Sequence, residues 1–313
     1  SSDVCSSDLI WDIQENGTCI LFHLWQKIMA EFVLDKKEIA NIKKEFYKVC
    51  PLNFIKEMIV TIYGEESQTY AERFEISDMI AIEYKMVILD NENLIKNKNV
   101  GDVGCASGLW PILFALHGAK SVIGIEPRPV YMQGAKKFIQ KHNLPVTLHL
   151  GDHNASLPIL QKNNTDTLVL MAVDDLIPNF EHFLHNCSNA EIENYILQCA
   201  TVSDDCFKNT KNNAGFTMHQ EAHNTCLRSG FNPYTKTMDE NGFQSKLDDS
   251  FDLANTAYTK NYKSENYLQY ILKQNKFRII SNKKPKLNLS EFSIFRHYLH
   301  NSLSYQWLTV SSK

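Results

Sequence analysis

Asp102 stands two residues ahead of a run of small side chains, Gly104, Cys105, Ala106, Ser107 and Gly108, and a second acid, Glu126, follows further on. Residue types in that order suit the binding of a nucleoside. Small side chains let backbone N–H groups come close to a ligand, and glycine tolerates the φ > 0 that a sharp turn needs. A helix starting after Gly108 aims its positive end at the same place. A carboxylate such as Glu126 can accept two hydrogen bonds from a ribose diol.

The flanking residues build the elements that such a site requires. Val100 and Val103, with small neighbours, fit a short buried strand. Leu109, Ile112, Leu113 and Leu116 recur at spacings of three and four, the apolar face of a helix. Gly118 is a stop for it. Ser121 to Ile125 reads as a second buried strand that ends on Glu126. Strand, glycine-rich turn, helix, strand and acid make a βαβ mononucleotide-binding unit.

Asp102-Val-Gly-Cys-Ala-Ser-Gly108 resembles motif I of the class I S-adenosylmethionine-dependent methyltransferases, an acid, an apolar residue and Gly-x-Gly-x-Gly. Gly104 and Gly108 match the outer glycines, and Ala106 replaces the middle one. A dinucleotide fingerprint would want Gly-x-Gly-x-x-Gly instead. The resemblance implies S-adenosyl-L-methionine as cofactor, with Asp102 near its methionine end and Glu126 on the ribose hydroxyls. It continues through a third strand, Pro145 to Leu150, with Asp152 after it as an acid for the adenine. A fourth strand, Asp166 to Val173, and a fifth, Asn194 to Ala200, follow. The implied cofactor contacts are Asp102, Gly104, Cys105, Ala106, Gly108, Glu126, Asp152 and Ala172. The implied fold is α/β, a doubly wound, mostly parallel seven-stranded sheet with a helical N-terminal extension.

A sulfonium methyl is already electrophilic, so the protein has to align a nucleophile and exclude water. A base is needed only where the acceptor loses a proton. Asp174 and Asp175 follow the fourth strand, at the edge where open α/β sheets bind ligands. They are the catalytic candidates, against the alternative of solvated loop acids or caps. His219 and His223 lie four apart on a predicted helix with Glu221 between them. Without a third ligand they read as structural rather than as a metal pair. His153 either lines the adenine pocket or is an ordinary loop histidine. The loop after the fourth strand lacks the Asp/Asn-Pro-Pro-aromatic motif of amino-group nucleic-acid methyltransferases. No Pro-Cys pair offers the thiolate of the cytosine C5 enzymes.

The chain has 313 residues, 43% hydrophobic and 22% charged, with net charge −4. That composition is ordinary for a globular protein and gives no overall pull toward nucleic acid or membrane. Eight cysteines without Cys-x-x-Cys spacing read as reduced thiols and a cytoplasmic location. The charge is unevenly spread: residues 256–313 hold ten Lys/Arg against two Asp/Glu, the rest 22 against 34. Lys273, Lys276, Arg278, Lys283, Lys284 and Lys286 alternate with aromatics, a pattern that could track phosphates and stack bases. A small molecule or sugar is the expected acceptor. A tRNA is the alternative, because the overall plan also resembles the enzymes that modify the wobble uridine. A non-catalytic binding module is a further alternative.

Residues 1–9 resemble the conceptual translation of a sequencing-library adapter and are set aside. Residues 10–77 form the predicted helical extension, 78–262 the cofactor-binding domain and 263–313 a basic C-terminal elaboration. Within the extension, one helix face runs from Ile20 to Phe32. Asp35 caps a helix through Lys48, and Pro51 opens another. This segment packs, shapes the acceptor pocket or mediates a homodimer. Ala71 to Asp90 and Val130 to His142 read as helical, as do Phe216 to Ser229 and Tyr267 to Lys273. Ser203 to Ala214 reads as a loop. Phe231 to Thr237, Phe251 to Tyr258, Phe277 to Ile280 and Gln306 to Val310 read as strands.

Overall fold

The computed structural model describes residues 29–32, 34–174, 177, 180–202, 217–222, 225–230, 258–285 and 303–312. The predictions for residues 1–28, for the loop at 203–214, for the strands at 231–237 and 251–257, and for Asp175, His223 and Lys286 lie outside them.

Helices α1 (Lys36–Val49), α2 (Leu52–Tyr63), α3 (Gln68–Glu72), α4 (Asp78–Val87) and α5 (Glu92–Ile95) come first, after strand β1 (Met29–Phe32). Asp35 caps α1 as expected: its side chain accepts the Glu38 N–H at 2.8 Å, and Glu38 accepts the Asp35 N–H at 3.0 Å. The core then alternates β2 (Asn99–Val103), α6 (Leu109–Leu116), β3 (Ser121–Glu126), α7 (Pro129–Lys141), β4 (Val146–Leu150), α8 (His153–Lys162), β5 (Thr167–Met171), α9 (Phe180–Asn189) and β6 (Asn194–Val202). Asn143 and Asn164, at φ 50°, turn the chain out of α7 and α8, and Gly118 at φ 81° does so after α6. Beyond these lie β7 (Thr217–Ala222), β8 (Thr225–Gly230), β9 (Tyr258–Ser264), α10 (Glu265–Gln274), β10 (Arg278–Pro285) and β11 (Leu303–Ser311).

Among the described residues the strands form one sheet in the order β1-β10-β11-β6-β5-β2-β3-β4, with β9, β8 and β7 branching from β6. The pairs β2–β3, β3–β4, β2–β5 and β5–β6 are parallel, and β11 runs antiparallel between β6 and β10. Strands β2–β6, β10 and β11 make the expected doubly wound seven-stranded sheet. Successive strand residues face opposite layers. Val100, Val169 and Ile196 join one apolar cluster with Phe46, Ile59 and Ile82 of the N-terminal helices. Leu168, Leu170 and Leu197 join the other with Leu160, Leu184 and Leu268.

Two expectations change. Met29–Phe32 is a strand, not the end of a helix, because it pairs in parallel with Asn282–Pro285. An apolar run does not reveal such a remote partner. Thr217–Ala222 and Thr225–Gly230 are antiparallel strands rather than parts of one helix, with β9 pairing to β8. Cross-strand partners override a weak helical pattern. Strands β10 and β11, which overlap the expected strands Phe277 to Ile280 and Gln306 to Val310, are hydrogen-bonded members of the sheet, so the basic C-terminal segment supplies part of it. No helix among the described residues is long and apolar enough to cross a membrane.

Candidate functional site

The site lies where β2 and β3 end. The first turn of the βαβ unit runs Gly104 (φ 80°), Ala106 (φ 46°) and Gly108 (φ 80°), a left-handed path that bulky side chains resist. A Cβ on Gly104 would come within 2.4 Å of Val173 Cγ1. Gly124 of β3 serves the same bend from outside, because a Cβ there would meet Leu148 Cδ2 at 2.5 Å and Cys105 Sγ at 2.9 Å. Cys105 lies buried on that glycine, and burial pushes its thiol well above the ordinary range. It is a small wall of the turn with no nucleophilic character.

The turn is held more tightly than its composition foretold. The Gly104 and Cys105 N–H groups both donate to the Ile125 carbonyl, at 2.8 and 3.1 Å. The Ala106 N–H donates to Glu126 Oε2 at 2.9 Å, and the Gly108 N–H to the Cys105 carbonyl. These four donors therefore serve the fold first. What the small residues supply is close approach.

Asp102 and Glu126 are both buried, at 1% and 0% exposure. Neither oxygen of Asp102 has a hydrogen-bond partner among the described residues. Burial, and then the nearby Glu126 carboxylate, raises the Asp102 carboxyl to about 8. A buried carboxyl with two idle oxygens beside a side-chain-poor bend is unusual, because buried polar groups are nearly always paired. It suits a cationic ligand group. Glu126 is instead fully engaged: Arg128 donates from its backbone N–H at 3.1 Å and from Nε at 2.5 Å, both to Oε1. This arginine escaped the sequence reading, although its position two residues past the acid was visible.

Asp152 caps α8, accepting the Asn154 and Ala155 N–H groups at 3.0 Å. Those bonds, chiefly the one from Ala155, hold its carboxyl below the usual range. Ala172 sits at φ 51° just past β5, its N–H donating to the Gln198 carbonyl at 3.0 Å. Asp174, two residues on, is 1% exposed, so it is not a solvated loop acid. His219 lies on β7, which removes the helical spacing that suggested a metal pair. Among the described residues no cluster could hold a metal ion.

Two further features were not foreseen. Glu83 of α4 accepts the Gln198 Nε2 hydrogen at 2.9 Å, and burial raises its carboxyl to about 7. A cavity of about 170 Å³ lies between α1, α2, α4 and the cofactor turn, reaching Ser107 and Leu109. The Tyr63 hydroxyl donates to Ser107 Oγ at 2.9 Å across its polar end.

The strand order, the glycine turn and the paired acids define a Rossmann-like methyltransferase fold. Residues 94–276 match the methyltransferase-domain family, more than half of the chain, and the chain belongs to that family. A stretch of 59 residues is 37% identical to protein arginine N-methyltransferase 1 of Saccharomyces cerevisiae, covering 19% of this chain and 17% of that protein. Another of 95 residues is 28% identical to a Methanocaldococcus jannaschii protein described as an N5-glutamine methyltransferase, covering 30% of this chain and 46% of that protein. The chain thus spans less than half the length of these curated relatives. In fold it is similar to geranyl diphosphate C-methyltransferase of Streptomyces coelicolor, with a TM-score of 0.51 and 7% identity over 79% of this chain and 84% of that one.

Proposed function

We propose that the protein is an S-adenosylmethionine-dependent methyltransferase that modifies a small molecule. The observation that carries this reading is the pair of unpartnered Asp102 oxygens, buried beside the Gly104–Gly108 bend. Bound there, S-adenosylmethionine would supply an electrophilic methyl for an acceptor's lone pair, its sulfur leaving with the bonding pair as S-adenosylhomocysteine. Ionised Asp102 balances the positive charge of the cofactor's amino-acid end. The bend lets that end approach the backbone, and Glu126 holds the ribose once Arg128 gives way. Asp152, already fixed by its cap bonds, would meet the adenine. Asp174, buried past β5, would orient the acceptor or take its proton, with Asp175 next in sequence as the other candidate.

A small acceptor is favoured over tRNA because the basic segment is part of the sheet. Lys283, one of its cations, is bound to Asp90 at 2.7 Å. Lys273, Lys276 and Arg278 are exposed, so the alternative has its own test: tRNA binding that weakens steeply with salt. None is expected.

Calorimetric titration of the full chain with S-adenosylmethionine and S-adenosylhomocysteine tests the main reading. Binding of both, weakened at least tenfold in Asp102→Ala and Glu126→Gln, is expected from the loss of one or two charge-assisted hydrogen bonds. Failure of the unaltered chain to bind either would end it.

A further inference from the structure

The geometry points to the cavity beside the cofactor turn as a binding site for an uncharged, single-ring aromatic molecule that carries one hydroxyl or carbonyl oxygen. Naming that molecule as the methyl acceptor rests on the methyltransferase reading; the binding itself does not.

Three observations lead there. The first is chemistry. The walls come from Ile55, Met58, Ile59, Phe74, Ile80 and Leu109, and among the described residues no charged side chain lines the space. A sugar or an amino acid would bring several polar groups into it, and each would be stripped of water without a partner. This narrows the expected acceptor, since a sugar does not fit.

The second is size. Apolar cavities of about 150 Å³ stay dry and take up benzene. The space here, about 170 Å³, matches one ring with a small substituent. A fused or branched polycyclic skeleton is too large.

The third is position and polarity. Ser107 and Leu109 flank Gly108, the residue that caps α6, so whatever fills the cavity lies against the bend that holds the cofactor. Among the described lining residues the polar side chains are those of Tyr63 and Ser107, whose hydroxyls are bonded to each other at 2.9 Å. Both hydroxyls can donate and accept. They can open to include one ligand oxygen without leaving any group unpaired. Tyr63 is 41% exposed, which puts this polar end on the solvent side. Gly134 fixes the roof: a Cβ there would sit 2.4 Å from Ile62 Cα, so α2 is clamped to α7 and the cavity cannot collapse freely.

The test uses the full chain labelled with [methyl-¹³C]methionine, with Met58 assigned through Met58→Leu. 4-Methylphenol is titrated with and without S-adenosylhomocysteine, and glucose is the control. The Met58 signal is expected to shift saturably at millimolar 4-methylphenol and to ignore glucose. Ile80→Trp, which fills the space, should weaken 4-methylphenol at least tenfold and change S-adenosylhomocysteine affinity less than twofold. Tyr63→Phe should erase the preference for 4-methylphenol over toluene. An unmoved Met58 signal in a chain that binds S-adenosylhomocysteine would overturn this proposal and leave the methyltransferase reading intact. A Met58 shift in a chain that binds neither cofactor form would uphold the site and refute its occupant as a methyl acceptor.

Discussion

Arg128 closes over Glu126. Two of its nitrogens donate to one carboxylate oxygen, while the Ala106 N–H holds the other, and the acid is left with no exposed surface. The residue that should grip the ribose is neutralised by a neighbour two positions along the chain. A diol reaches it only when the guanidinium moves aside. Arg128→Ala should therefore lower the stability of the free chain, by about 2 kcal/mol, because a buried carboxylate loses its countercharge. The same change should enlarge the rise in Tm caused by saturating S-adenosylhomocysteine, since no side chain competes for the acid. Equal ligand-induced shifts in variant and parent would refute that competition.

If Asp102 meets the cofactor as proposed, binding should depend on pH. Burial, and secondarily Glu126, raises its carboxyl to about 8, so the protonated form is favoured at pH 7. A cationic ligand favours the ionised form, and binding should expel a proton. Affinity is expected to rise between pH 6 and 8, by at most about tenfold per pH unit, and to level off above that. Calorimetry in buffers of different ionisation enthalpy reads the proton directly. Asp102→Asn should bind more weakly and with no proton release.

Glu83 should govern stability over a lower pH range. Its folded carboxyl is raised from 4.5 to about 7 by burial, against the opposing bond from Gln198. A raised acid pKa gives stability that is complete below the unfolded value and is lost as pH climbs to the folded one. The parent chain should thus lose roughly 2–3 kcal/mol between about pH 4.5 and 7 from this group. Glu83→Gln keeps an acceptor for Gln198 and should be more stable at pH 8, with little change at pH 4. Urea unfolding at the two pH values checks the sign.

Gly134 tests how the N-terminal helices are seated. Glycine to alanine inside a helix ordinarily stabilises by about 1 kcal/mol. Here the added Cβ would lie 2.4–2.6 Å from backbone atoms of Ile62 and Thr61, which cannot rotate away. Gly134→Ala should instead cost about 2–4 kcal/mol. A stabilised variant would mean that α2 does not rest on α7 in solution.

The βαβ unit was readable because every signal in it is local. The apolar strand, small turn residues, three-four spacing and closing acid fall within Asn99–Glu126, and the strand, turn, helix and strand form in that order. Asp35 and its reciprocal partner Glu38 are equally local. What escaped depends on distant partners. Met29–Phe32 is a strand only because Asn282–Pro285 lies beside it. Residues 217–230 pair with each other and with Tyr258–Lys263. Glu83 meets Gln198 across 115 positions, and Tyr63 meets Ser107 across 44. Helix α8 has no expectation in the sequence reading; Asp152 supplies the cap that starts it, and it runs on through Pro158. The outward availability of the turn's N–H groups was overestimated, since composition does not show that Ile125 and Glu126 would claim them.

Strand β11 enters the sheet between β6 and β10, a hundred residues after β6 has been made. During synthesis β6 must wait on the ribosome's surface with one flank of peptide groups unmatched. Such a flank invites pairing with any passing extended chain. Expression slowed or cut short before residue 303 should therefore yield aggregates in place of a smaller working enzyme.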